Sequence, residues 1–167
     1  MAITTKALAD GKHAVVETNH VSAVRTGNIV AQYVAAVKLD NGMALSVDHT
    51  QGKVKLAVDG QPVYLHASDE QLYEDHVGRD VFYIKEGEYP KALLLEVGDI
   101  FETDAVVPAE YNAGDVVGPM ESGLWGKTPD ITNIEAVVAG TVYLPNGKAG
   151  LKIAITKVAS ASATPEA

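Results

Sequence analysis

The sequence predicts a mainly β fold, an antiparallel sandwich or barrel, on three observations. Turn dipeptides such as Asn-Gly and Asp-Gly recur roughly every ten residues. The segments between them are short and alternate apolar with polar positions. The apolar load, 47% of the chain, is carried mainly by Ala, Val, Leu and Ile, with aromatics at only 6%; β-branched side chains suit a pleated surface.

Taken in order, the first dozen residues hold some apolar content (Ile3, Ala7, Leu8) but no period. They read either as an arm that orders against a partner or as a frayed terminus. Asp40-Asn41-Gly42 introduces Met43, Leu45 and Val47 on one face, with Ala44 and Ser46 on the other. Gln51-Gly52 leads into Lys53 to Val58, with a period of two and the lysines outward, and Asp59-Gly60 turns into Val63 and Leu65. This part reads as a meander. Ser68 to His76 breaks the pattern: Ser68 and Gln71 form a capping box with acidic residues in the first turn, which predicts one short helix. An acidic loop is the alternative. Ile134 to Leu144 and Leu151 to Val158 flank Pro145-Asn146-Gly147 as a hairpin. The total is about eight to eleven strands. One β-rich domain over residues 13–158 is expected, between an N-terminal arm (1–12) and a flexible C-terminal tail (159–167), whose small polar residues have nothing to bury.

Bulk properties exclude several classes. A chain of 167 residues is long enough for one domain with a real core. Its net charge of -9 repels phosphate backbones and argues against nucleic acid. No apolar run approaches the ~20 residues of a membrane span, and the N-terminus is too polar for a signal peptide. Without cysteine there are no disulfides, thiolate metal sites or cysteine nucleophiles.

Residues that could carry chemistry are sparse. His13, His20, His49, His66 and His76 form no close-spaced pair. His66 and His76 bracket Asp69, Glu70, Glu74 and Asp75, the nearest approach to a metal cluster, which reads better as a solvated acidic surface. There is no Gly-x-Ser-x-Gly, phosphate loop or dinucleotide fingerprint. Val97-Gly98-Asp99-Ile100-Phe101 does return sixteen residues later as Ala113-Gly114-Asp115-Val116-Val117. A carboxylate pair from Asp99 and Asp115 would serve a hydrolase. Two identical turns, each leading a strand into the core, account for the whole repeat, including its apolar pairs, and this is the preferred reading. The only tryptophan, Trp125, lies beside Leu124 in a Gly-flanked segment. It is either a plug over the end of the fold or an exposed anchor for a partner. With Tyr111 and Tyr143 it also makes a candidate stacking surface for carbohydrate.

The acidic, cysteine-free, β-rich chain opens Met1-Ala2-Ile3-Thr4-Thr5 and runs through Asn28 to Tyr33, Val97 to Asp104 and Ala113 to Gly118. In this it resembles the head decoration (cement) proteins of tailed bacteriophages. The resemblance is one of style over most of the chain, without a diagnostic motif. It implies a small β-domain on the outer capsid surface of the virion, made in the host cytoplasm, bridging neighbouring major capsid proteins. It also implies self-association, often as a trimer, with a dimer as the alternative, and an arm lying on the shell. No catalytic, cofactor-binding or metal-binding residues and no cofactor follow from it, and no nucleic acid or membrane partner. The candidate interface residues are Ile3, Leu8, Leu124 and Trp125. Rival readings are another virion subunit, such as a tail tube or head fibre base, and a carbohydrate-binding module.

Overall fold

The computed structural model describes residues 3–4, 13–70, 82–145 and 147–159. Its first strands are β1 (Ile3–Thr4), β2 (Val16–His20), β3 (Ile29–Val30), β4 (Val34–Ala35), β5 (Ala44–Asp48), β6 (Lys53–Leu56) and β7 (Tyr64–His66). They are followed by β8 (Ala92–Leu94), β9 (Ile100–Thr103), β10 (Glu110–Tyr111), β11 (Val116–Pro119), β12 (Trp125–Gly126), β13 (Ile134–Tyr143) and β14 (Ala149–Val158). The single described helix, α1 (Ala23–Thr26), closes on Gly27.

Two six-stranded sheets form a β-sandwich-like arrangement. The first has the order β12-β11-β13-β14-β9-β2 and the second β3-β8-β7-β5-β6-β4; β1 and β10 pair separately. One hydrophobic cluster lies between the sheets, with Phe101, Trp125, Val138 and Ile153 from the first facing Ala44, Leu65 and Leu93 from the second. The hairpin expected around Pro145-Asn146-Gly147 forms as β13 and β14, ten residues each and antiparallel.

Other expectations need correction. The segment from Asp40 to Leu65 is not a simple meander: β7 pairs with β5 rather than β6, and β4 runs parallel to β6. Along β5 the expected alternation is present, and residues on both faces are buried. Ala44 points into the inter-sheet core, whereas Met43 and Leu45 join a second cluster with Leu39, Val54 and Ile84. The second sheet is buried on both sides, so alternation along its strands does not mark a wet and a dry face. The strand count exceeds the expected range because many strands are two residues long.

The helix expected over Ser68 to His76 falls largely outside the described residues. Ser68, Asp69 and Glu70 are not helical. The hydroxyl of Ser68, instead of capping a helix, pairs with His66 Nε2 at 2.8 Å and accepts the Lys91 N–H at 2.9 Å. In the N-terminal segment, the backbone of Ile3 and Thr4 pairs antiparallel with Tyr111 and Glu110. Leu8 and residues 160–167 lie outside the described residues.

Candidate functional site

The repeated Gly–Asp motif builds two matching turns. In each, the aspartate N–H bonds back to the carbonyl three residues earlier: Asp99 to Glu96 and Asp115 to Asn112, both at 3.1 Å. The carboxylate then accepts the N–H of that same residue, at 2.8 Å in both turns. The glycines stand at φ +94° and +93°, the left-handed region a turn of this kind requires. Each turn also latches onto the central hairpin in the same way. Gly98 donates to Ile155 and Ile155 donates to Asp99, while Gly114 donates to Val138 and Val138 donates to Asp115. Ile100 then lies opposite Ala154, and Val116 opposite Val137. Since Val137 pairs with Ala154, the two turn–strand units are related by a local two-fold axis through the β13–β14 hairpin.

That arrangement separates the two carboxylates. They immediately precede β9 and β11, which lie three strand spacings apart, or about 14 Å across the sheet at ~4.8 Å per strand. Asp99 is buried and also accepts the Ser22 N–H at 2.9 Å. Asp115 meets Lys127 at 2.9 Å. The Asn112 N–H and then Lys127 hold its carboxyl below the usual aspartate range. The repeat is architecture. Gly98→Val and Gly114→Val are therefore expected to destabilise the protein by roughly 1–2 kcal/mol each, through backbone strain alone, since nothing lies within 4 Å of where either Cβ would stand. Asp99→Asn and Asp115→Asn should be milder, and Gly98→Val and Gly114→Val together additive. Urea unfolding of the set checks this; aspartate variants worse than the glycine variants would reverse it.

The densest polar cluster lies elsewhere, at Asp40-Asn41-Gly42, where all three residues are buried. Asp40 pairs with His13, and burial raises its carboxyl above the usual range. The His13 ring stacks on Tyr83 at 4.3 Å. Asn41 clamps the backbone of Ser68 in both directions, accepting its N–H at 2.9 Å and donating to its carbonyl at 3.1 Å. The Gly42 carbonyl accepts the indole N–H of Trp125 at 3.0 Å, and its N–H donates to the His66 carbonyl at 2.8 Å. Beside this turn, Asp104 accepts the Val15 N–H at 2.8 Å. Thr103 donates to the Val15 carbonyl at 2.7 Å and accepts the Ala105 N–H at 3.0 Å. The cluster joins the two sheets to the start of the domain.

Within it, His66 and Ser68 have the contacts of a serine–histidine pair. His66 Nδ1 lies 2.7 Å from the Asp40 carbonyl, which assigns the ring proton to Nδ1 and leaves Nε2 to accept from Ser68 Oγ. Complete burial lowers the imidazole to about 4. A base so far below neutrality is poorly matched to activating a hydroxyl near pH 7. Its evident work is to satisfy two buried polar groups. Sequence reading misses this cluster because Asp-Asn-Gly carries the same signal in a buried turn as in an exposed hairpin.

The remaining candidates are dispersed. Trp125 is fully buried, with its ring 5.1 Å from Phe101, so it is not an exposed anchor. A ring flanked by two sheets, with its N–H satisfied inside, has no face left for a partner. Leu124 is half-buried against the second cluster. Tyr111 is buried, with its hydroxyl donating to the Val107 carbonyl, while Tyr143 is 84% exposed. The three rings therefore make no common carbohydrate-stacking surface. Among the described residues no three His, Asp or Glu side chains converge to hold a metal ion, and His76 lies outside them. No described helix is long and apolar enough to cross a membrane. No family model, curated protein or solved structure matches the chain.

Proposed function

We propose that the chain is a non-enzymatic structural protein of a phage virion, binding the outside of an assembled capsid and bridging neighbouring major capsid proteins. The observation supporting this most is where the conspicuous sequence features are used. The Gly–Asp repeat builds turns, and the buried polar groups of Asp40, Asn41 and His66 are bonded within the fold. What is left to meet a partner is surface. Val24, Tyr89, Val97 and Tyr143 are exposed, and the Ile3–Thr4 strand stands outside both sheets on β10. A protein repeated over a lattice gains attachment from many weak contacts and needs no conspicuous concave site. Its net charge of -9 suits an outer face turned away from packaged nucleic acid. The resemblance to decoration proteins points the same way.

The test is co-sedimentation with expanded shells of the major capsid protein from the phage that encodes the chain. The chain is expected to pellet with the shells at a fixed copy ratio. Deleting residues 1–12 should weaken attachment and leave the melting temperature nearly unchanged. Shells that pellet without the chain at saturating concentration overturn the reading, and saturable glycan binding in that case would favour a carbohydrate-binding module.

A further inference from the structure

The outer edge of β13 is only partly covered. β11 pairs with it at Ala136 and Val137, and the Gly114–Asp115 turn bonds at Val138. From Ala139 to Tyr143 the only strand beside it among the described residues is β14. The bonding direction along this stretch follows from Leu144, which donates to Lys148 and accepts from Gly147 on the β14 side. By alternation Val142 and Gly140 also face β14, and the N–H and C=O of Thr141 and Tyr143 point outward. Among the described residues nothing bonds to these outward groups.

Uncovered edges are usually blunted by charge, shortness or a bulge. β2, at the far edge of the same sheet, carries Glu17 and an irregular register; β12, β3 and β4 are two residues long. Ala139-Gly140-Thr141-Val142-Tyr143 has no charge, in a chain of net charge -9. It also ends on Tyr143, the most exposed large hydrophobic side chain described.

We propose that this edge pairs with the same edge of a second copy, antiparallel about a two-fold axis at Val142. The outward-bonding residues are placed symmetrically about that position. Thr141 of each copy then faces Tyr143 of the other, and the two residues exchange N–H···O=C bonds in both directions. Their side chains meet on the outer face, so Thr141 covers Tyr143. The half-buried Val142 side chains meet on the opposite face, which Leu144 continues inward. Two acidic chains approach along the stretch of sheet edge where neither presents a charge. The contact is smaller than the ~1,200 Å² of a standard stable interface, so the dimer is weak and concentration-dependent. The inference does not rest on the capsid reading.

The absence of native cysteine makes the register directly testable. Directly opposed residues at a non-hydrogen-bonded position lie ~4.5 Å apart at Cα, within disulfide reach. Val142→Cys, oxidised under native conditions, is expected to give a covalent species of twice the mass. Thr141→Cys and Tyr143→Cys, each two residues out of register with itself, should remain monomeric. Adding Thr141→Pro to Val142→Cys removes an outward donor without touching the β14 ladder and should abolish the cross-link. A Val142→Cys protein that melts normally yet stays monomeric overturns the proposal, as do three cysteine variants that cross-link equally.

Discussion

Gly42→Ala is expected to destabilise the protein by about 3 kcal/mol or more, from left-handed backbone strain plus overpacking. Gly42 has φ +88°, and a Cβ there would lie 2.0 Å from Thr103 Oγ1 and 3.0 Å from the Ala105 Cβ. Thr103 cannot yield cheaply: its hydroxyl bonds the Val15 carbonyl and the Ala105 N–H. Moving Gly42 instead would pull on the Trp125 indole and on the His66 backbone. Gly60→Ala is the control, because Gly60 has a similar φ of +81° with nothing within 4 Å of its Cβ position. It should lose only ~1 kcal/mol from strain. Urea unfolding separates the two contributions, and equal losses at both positions would show that the contact with Thr103 is relieved at little cost.

The contrast between these two glycines also explains what is legible in the sequence. Asn41-Gly42 and Asp59-Gly60 carry the same local code for positive φ, and both adopt it. Nothing in the dipeptide reports that one turn is open and the other lies between two sheets. The twin Gly–Asp turns and the β13–β14 hairpin are readable because their determinants are local: a glycine, an aspartate that bonds its own turn, and alternation leading away. Alternation along β5 separates its two faces without saying which one meets the other sheet, for a related reason. Alternation ranks two faces by polarity, and here Ala44 and Leu45 are both buried, so the ranking has no wet face to find. Ser68 reads as a helix cap because three acidic or amide residues follow it; the neighbouring His66 ring and the distant Lys91 N–H take its hydroxyl. Trp125 sits among glycines that suggest a loose loop, yet those glycines let the backbone pass close to Met43, Leu56 and Met120 while the ring enters the core. Local chemistry specifies the turns, and long-range packing decides which of them become the interior.

Lowering the pH from 7 toward 4 is expected to remove about 3 kcal/mol of stability through His66 alone, at ~1.4 kcal/mol per unit of pKa difference. The ring is fully buried, and burial lowers its pKa from 6.5 to about 4 in the folded protein. Above pH 6.5 the ring is neutral folded or unfolded, and it contributes no pH dependence. Below 6.5 the unfolded chain takes up a proton that the folded protein refuses, so stability falls with pH until the folded ring itself titrates near 4. Roughly 2 kcal/mol should be gone by pH 5 on the same scale. Asp40 works in the opposite direction. Its carboxyl is raised by burial, so the folded protein accepts that proton before the unfolded chain does, offsetting part of the loss at the acid end. Asp48, Asp59 and Asp115 are held below the usual aspartate value, and their contributions are lost only under more acid conditions. The window from 6.5 to 4 therefore belongs mainly to the histidine. His66→Gln should be less stable than the native protein at pH 7, because the Asp40 carbonyl and the Ser68 hydroxyl lose a well-placed partner. Its stability should nevertheless be nearly flat between pH 6.5 and 5, where the native protein declines. Urea unfolding at half-unit pH steps measures both curves. Parallel slopes in the two proteins would show that His66 already takes up its proton inside the fold, which the burial of its ring disfavours.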